Sequence, residues 1–319
     1  MLNSINAWVI FNGFLILLIF FDFVIFSRKE KEIGLKSAGI LTVFWTIIAG
    51  IVGVFIFLLG DSQLGIEYVT SYVAERALSI DNLFVFLIIF NYFAIPNTLK
   101  QRALLFGIMG ALVARAIFIA LGVALISTFS WFLIVLGLFL IYTAYKLAFK
   151  HDTEVDPSKN VVAKFFSKVI VVTEKFDGHK LFTRLPSGAL AATPFLLVVI
   201  VLGSTDVVFA VDSIPTVFGI TDNAFIVWSS NAMAVLGMRP LYFLIAGLVD
   251  IFRFLQYGLA AILGFIGVKM VVEQLFHGAH IISEQADIFL ALAIIIGVLT
   301  ISILASIFFP TGKQNTEKN

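Results

Sequence analysis

Long apolar stretches broken by short polar ones run through the whole chain. Nine stretches reach the roughly 20 mostly apolar residues that a membrane-spanning helix needs: about 8–27, 38–60, 66–94, 102–126, 130–149, 191–218, 224–250, 255–273 and 287–309. The third and sixth are long and carry acidic groups. The polar breaks alternate in character. Arg28, Lys29, Lys31 and Lys36 follow the first stretch, and Lys100 and Arg102 follow the third. Residues 150–190 hold Lys150, Lys159, Lys164, Lys168, Lys175, Lys180 and Arg184. Arg253 separates the seventh and eighth stretches, and Lys313 and Lys318 lie in the tail. The breaks near 61–65, 127–129, 219–223 and 274–286 contain no Lys or Arg. Basic loops stay in the cytoplasm, so the pattern predicts a multi-pass protein of the plasma (inner) membrane, N-terminus outside and C-terminus cytoplasmic. Lys269, near the outer end of the eighth stretch, is the exception. Met1–Ala7 has no basic residue and no small-residue cleavage site follows, so the first stretch reads as a span rather than a signal peptide.

Composition agrees. Of 319 residues 61% are hydrophobic and only 13% charged, with mean hydropathy +1.07. Soluble domains sit near half apolar and a quarter charged, so a soluble globular protein is excluded. The 35 Phe residues suit lipid-facing surface. A net charge of +1 points to no partner, and no nucleic-acid partner is expected. Cysteine is absent, which rules out disulfides, thiolate metal sites and thiol redox chemistry. The loop 150–190 is too short for a catalytic domain. Its stretch Val161–Phe176 interleaves apolar residues with lysines, as an amphipathic helix on the inner leaflet would. A regulatory element is the alternative.

Internal similarity organises the core. Glu75 and Asp81 are six residues apart, and so are Asp206 and Asp212. Met109 precedes Arg115 by six residues, as Met233 precedes Arg239. Lys146 follows Arg115 by 31 residues, and Lys269 follows Arg239 by 30. The matches fall in order and define two units of three spans, about 66–149 and 191–273. An odd number of spans inverts the second unit, giving the inverted-topology repeat of many secondary transporters. The predicted fold is therefore an all-α polytopic bundle forming a single membrane domain.

The acids carry the candidate chemistry. An ionised carboxylate at the centre of a spanning helix costs about 2.5–3.5 kcal/mol on the insertion scale. Glu75, Asp81, Asp206 and Asp212 together would oppose insertion by roughly 10 kcal/mol unless paired, protonated or bound to a cation. Arg76, Arg115 and Arg239 are the nearby basic groups. Buried salt bridges that lock the bundle are one reading. A cation pathway is the other, favoured by the duplicated spacing. Six residues rotate about 240° and rise about 9 Å on a regular helix, so two acids on one helix do not share a cavity unless it is distorted. Pro215 is expected to kink the sixth span. Inversion also exchanges depths: Glu75 is expected level with Asp212, and Asp81 with Asp206, as two stacked carboxylate pairs. Ser79, Asn82, Ser204, Thr205 and Ser213 are candidate neutral oxygens.

His151, His179, His277 and His280 all fall in loops, so the core offers oxygen ligands only, which suit Mg, Ca or Mn. Met109 and Met233 read as packing residues or as weak thioether contacts to a transition metal. His277 and His280 with Glu273, Glu284 and Asp287 form an acidic outer patch, a solvated loop or a metal-exit antechamber. Asp22 lies near the inner end of the first span and is a further candidate. Arg115 and Arg239 read as charge-balancing groups.

The stretches ERALSIDNLFVF, STDVVFAVDSIP and LGMRPLYFLIAG resemble the TerC family of integral membrane proteins, including its Alx-type members, over nearly the whole chain. The family is grouped with the LysE-type transporter superfamily and is associated with tellurite resistance and manganese export. The resemblance implies Mn²⁺ as the cargo, and assigns Glu75, Asp81, Asp206 and Asp212 to the family's intramembrane acids, with Asn82 and Ser213 beside them. One position departs: many members have a Glu three residues before the first Asp of the second motif, and here it is Gly203. The expectation is a secondary exporter of a divalent cation, with proton exchange as its candidate coupling because a metal-binding carboxylate must be deprotonated. A non-transport membrane factor in redox balance or membrane-protein assembly is the alternative. No cofactor is expected. Neither a nucleophile–base set nor a nucleotide-binding loop is present, so no enzyme is expected.

Overall fold

The computed structural model describes residues 4–27, 33–149, 160, 162, 165–166, 170–173, 175–185, 188–248, 254–276 and 284–308. The expected amphipathic helix 161–176 is corrected in its second half: residues 162 and 165–166 are helical, but 170–173 and 175–176 are not, because Val171–Thr173 lie in hydrogen-bonding contact with Ala192 instead. His151, His277 and His280 and the side chain of Glu284 lie outside the described residues. The chain is helical almost throughout. The helices are α1 (Ile5–Ser27), α2 (Leu35–Leu59), α3 (Ser62–Tyr92), α4 (Asn97–Thr128), α5 (Phe132–Phe149), α6 (Pro194–Phe218), α7 (Ala224–Leu236), α8 (Met238–Ala246), α9 (Leu255–Leu275) and α10 (Glu284–Phe308). Seven of them, α1, α2, α4, α5, α6, α9 and α10, are long and apolar enough to cross a membrane. Their outer faces carry large exposed apolar side chains such as Ile10, Leu17, Phe20 and Phe57. In water such a surface would aggregate; in lipid it is the expected exterior. The chain is an all-α polytopic membrane protein.

Local signals set the helix ends. Asp61 caps α3 by accepting from the Leu64 amide at 2.8 Å, which starts the helix earlier than its apolar pattern does. Thr193 caps α6, and Pro194 occupies its first turn, where a missing N–H costs nothing. The sixth stretch therefore begins later than expected. Residues 190–192 instead form strand β2 (Leu190–Ala192), paired antiparallel with β1 (Phe182–Arg184). Beside this hairpin Lys180 and Thr183 donate to Asp177 at 3.0 and 2.8 Å and hold its carboxyl below the usual carboxylate range.

One helix expectation is corrected. α6 is helical from Pro194 to Phe218, across Pro215, so the proline does not end it. An interruption falls instead in the expected span 224–250, between α7 and α8. Pro240 clashes with the carbonyl four residues back, which is that of Leu236, the last residue of α7. Gly237 fills the gap. A Cβ there would lie 2.4 Å from the Arg76 guanidinium, which donates to the Ala234 carbonyl at 2.9 Å. Arg76 thus supplies a donor to the frayed end of α7.

α3 occupies the centre, packing against α2, α6, α7 and α10. The other main pairings are α4 with α6 and α5 with α9. The last is the tightest: a Cβ on Gly267 would lie 2.7 Å from the Gly137 carbonyl, and one on Gly137 would lie 2.9 Å from that of Gly267. Backbone meets backbone, so no side chain can move aside. Gly267→Ala is expected to destabilise the bundle by about 1–3 kcal/mol. Gly297→Ala, whose Cβ meets nothing within 4 Å, should not. Thermal unfolding of both variants in detergent checks this; equal melting temperatures would contradict the close crossing.

Candidate functional site

Two polar rungs tie α3 to α6. The Thr221 hydroxyl, just past the end of α6, donates to Glu67 Oε2 at 2.5 Å. Deeper in, Glu75 and Ser213 both accept from Nη1 of Arg115, the latter at 3.3 Å. From one rung to the next α3 advances eight residues and α6 retreats eight. The two helices therefore run in opposite directions, and Glu75 lies one residue from the level of Asp212, the depth relation that inversion requires.

The pairing of the acids differs from the expectation. Arg115 of α4 is fully buried and joins Glu75 to Asp206, through Nη1 and Nε respectively, the second at 3.2 Å. Its Nη1 also donates to Asn231 Oδ1 at 2.6 Å. Asp212 accepts from the Thr143 hydroxyl of α5 at 3.3 Å and lies within electrostatic reach of Lys146. Its charge also acts on Asp81. The groups are thus diagonal: Glu75 with Asp206, and Asp81 with Asp212. Depth alone does not decide the partner. Six residues turn a side chain about 240° around its helix, and a long arginine reaches across the difference in level.

The two groups are electrically unlike. Glu75 and Asp206 share a guanidinium, which offsets one of their two charges. Asp81 has no hydrogen bond or ion pair among the described residues, and Asp212 has the Thr143 hydroxyl. The arginine network is itself incompletely bonded: Glu75 Oε2, Asp206 Oδ1, Arg115 Nη2 and Asn231 Nδ2 are buried without a partner, as is Asn82 Nδ2 beside Asp81. Buried polar groups are rarely left so; Trp45 Nε1, Ser71 Oγ and Arg76 Nη2 are the others among the described residues. Among the described residues no three acidic or histidine side chains converge as a ready-made metal cage.

The remaining candidates separate. Ser79, Ser204 and Thr205 donate to carbonyls of their own helices. Asp22 is held by Arg239 at 2.8 Å, a buried ion pair between α1 and α8. Met233 is packed in the apolar core, whereas Met109 is 46% exposed on the outer face of α4, so the structure does not bring the two thioethers to the acids. Lys269 pairs with Glu273 and Asp287 at 3.2 and 2.8 Å and donates to the Gly219 carbonyl at 3.3 Å. That contact explains how the odd lysine is tolerated at the outer end of α9. Gly203 has nothing within 4 Å of a Cβ, so the glycine is not forced by packing. Asn231, Thr143 and Glu67 were not singled out by the sequence. The steps of four residues through Glu67, Ser71, Glu75 and Ser79 were the signal that could have found Glu67.

Residues 60–314 match the integral membrane protein TerC family. An uncharacterised membrane protein of Myxococcus xanthus is 35% identical over 96% of this chain and 93% of its own length. A protein of Photorhabdus laumondii is 35% identical over 86% of this chain and 90% of its own. One of Escherichia coli K12 is 39% identical over 75% and 72%. Both of the latter are named, provisionally, as a membrane-bound redox modulator, Alx. No solved structure matches the chain.

Proposed function

The chain belongs to the TerC family of integral membrane proteins, and from that premise we propose that it is a secondary transporter exporting a divalent cation, Mn²⁺ first among the oxygen-seeking metals. One observation carries the reading: Asp81 and Asp212 lie within electrostatic reach of each other at membrane depth, and no arginine binds either among the described residues. Two carboxylates supply the charge of one divalent cation, and carboxylate and hydroxyl oxygens suit Mn²⁺ over Zn²⁺ or Cu²⁺. Glu75 and Asp206, held by Arg115, complete the acid set, with Asn82 and Ser213 as neutral neighbours. Binding metal requires deprotonated carboxylates, so proton antiport is the natural coupling. The inverted repeat fits the packing: exchanging the two units turns the α3–α7 contact into α6–α4 and α5–α9 into itself, and all three occur. Nine spans, an outside N-terminus and a cytoplasmic C-terminus belong to the same proposal, as does the absence of an enzymatic reaction.

The test is Mn²⁺ flux into vesicles carrying the full chain, against protein-free vesicles and with Zn²⁺ as competitor. A C-terminal reporter active only outside the cytoplasm should stay silent in cells. Flux equal to that of empty vesicles overturns the transport reading, and an active reporter overturns the orientation. The name carried by the relatives favours a second reading, a membrane factor in redox balance. That reading predicts a changed cellular redox state with unchanged manganese content.

A further inference from the structure

We propose that Glu67, with the Thr221 hydroxyl, is a second and separate divalent-cation site near the outer mouth of the pathway. The proposal takes its direction of flow from the transport reading above, but its geometry stands apart from it. Glu67 lies two helical turns outward from Glu75 on α3, and the residue is buried, at 7% exposure. It accepts from the Thr221 hydroxyl at 2.5 Å and from Gln63 Nε2 at 3.2 Å. Both donors are neutral, and among the described residues no lysine or arginine pairs with it. Asp61 and Asp222 add negative charge nearby. The loops at this end, 61–65 and 219–223, contain no basic residue, and the nearby Lys269 is paired with Glu273 and Asp287.

An acidic cluster alone would not make a site. The second observation is Ser71, one turn inward on the same face. Hydroxyls inside helices usually donate to the carbonyl four residues back, as Thr70 does to Ile66 and Ser79 to Glu75 in this helix. Ser71 does not: its Oγ is fully buried and has no partner. It sits between Glu67 and Glu75, and Glu75 Oε2 is likewise buried and unpartnered. Residues four apart lie one above the other. Glu67, Ser71 and Glu75 therefore form a row of oxygens leading from the arginine-bound acids to the outer end of α3. A hard divalent cation takes carboxylate and hydroxyl oxygens of this kind. In the exporter, the cation leaves the intramembrane acids and pauses at Glu67 before release.

Mn²⁺ alone, titrated against the full chain in lipid nanodiscs with free Mn²⁺ read by electron paramagnetic resonance, tests the site. Wild type should show two classes of bound Mn²⁺. Glu67→Gln should lose one class, and Thr221→Val should weaken that same class by at least about tenfold. The doubly neutralised Asp81→Asn, Asp212→Asn variant should keep it and lose the other. If Glu67→Gln fails to fold, judged by thermal unfolding, Thr221→Val decides. An unchanged isotherm in Glu67→Gln or, failing that, in Thr221→Val overturns the site. So does disappearance of both classes in the Asp81/Asp212 variant. Absence of Mn²⁺ flux in wild-type vesicles with the outer class intact would reject the transport reading and leave this site standing.

Discussion

Arg115→Met should be the most damaging single substitution in the bundle, costing about 3–5 kcal/mol of stability, the usual penalty for removing one partner of a buried ion pair. The residue is fully buried. It donates to Glu75, Asp206, Ser213 and Asn231, which belong to three different helices. Deleting it leaves two carboxylates at membrane depth without an opposite charge. The loss should be recovered in large part by Glu75→Gln and Asp206→Asn introduced together with Arg115→Met, because a neutral, similarly sized set leaves no charge unpaired. Thermal unfolding of the single, double and triple variants gives the coupling directly. The same series separates the two readings of the acids. If the ion pairs only lock the bundle, the triple variant is stable and transports Mn²⁺. If the acids serve the cation, it is stable and inactive. An Arg115→Met protein as stable as wild type would show that the buried network is not formed.

Asp81→Asn and Asp212→Asn should behave in the opposite way. Each is expected to reduce Mn²⁺ flux in vesicles to the level of protein-free membranes, without loss of stability. Neither carboxylate is bound by an arginine among the described residues, and Asp212 accepts only a neutral hydroxyl, that of Thr143. Neutralising one removes a charge whose insertion costs about 2.5–3.5 kcal/mol, so the melting temperature should hold or rise. Loss of activity with a gain in stability is the mark of a residue kept for function. Normal flux in both variants would remove these residues from the pathway. A drop in stability comparable to that of Arg115→Met would make them structural.

Much of this was legible in one dimension. Seven long apolar helices follow from apolar length, because a bilayer demands about 20 such residues whatever their neighbours. The acids stood out because a carboxylate in lipid is costly whatever its surroundings. Asp22 and Arg239, far apart in sequence, illustrate what was not legible: each is a lone charge along the chain, and only the meeting of α1 with α8 makes them partners. Met109 and Met233 match in the repeat, yet one faces outward and the other the core.

The sequence by itself determined that the chain is a helical membrane protein and which charged groups fall within its apolar segments. Those properties depend on composition and spacing along the chain, and the solvent enforces them locally. The tertiary structure alone decided the partners. It joined Glu75 to Asp206 through Arg115, set Asp81 against Asp212, placed the helix break at Gly237 against Arg76, and hung Thr221 on Glu67. Partner choice depends on how each helix is rotated about its axis and how far each side chain reaches. Both are fixed by packing between segments more than a hundred residues apart, as Arg76 with Ala234 and Glu67 with Thr221 are.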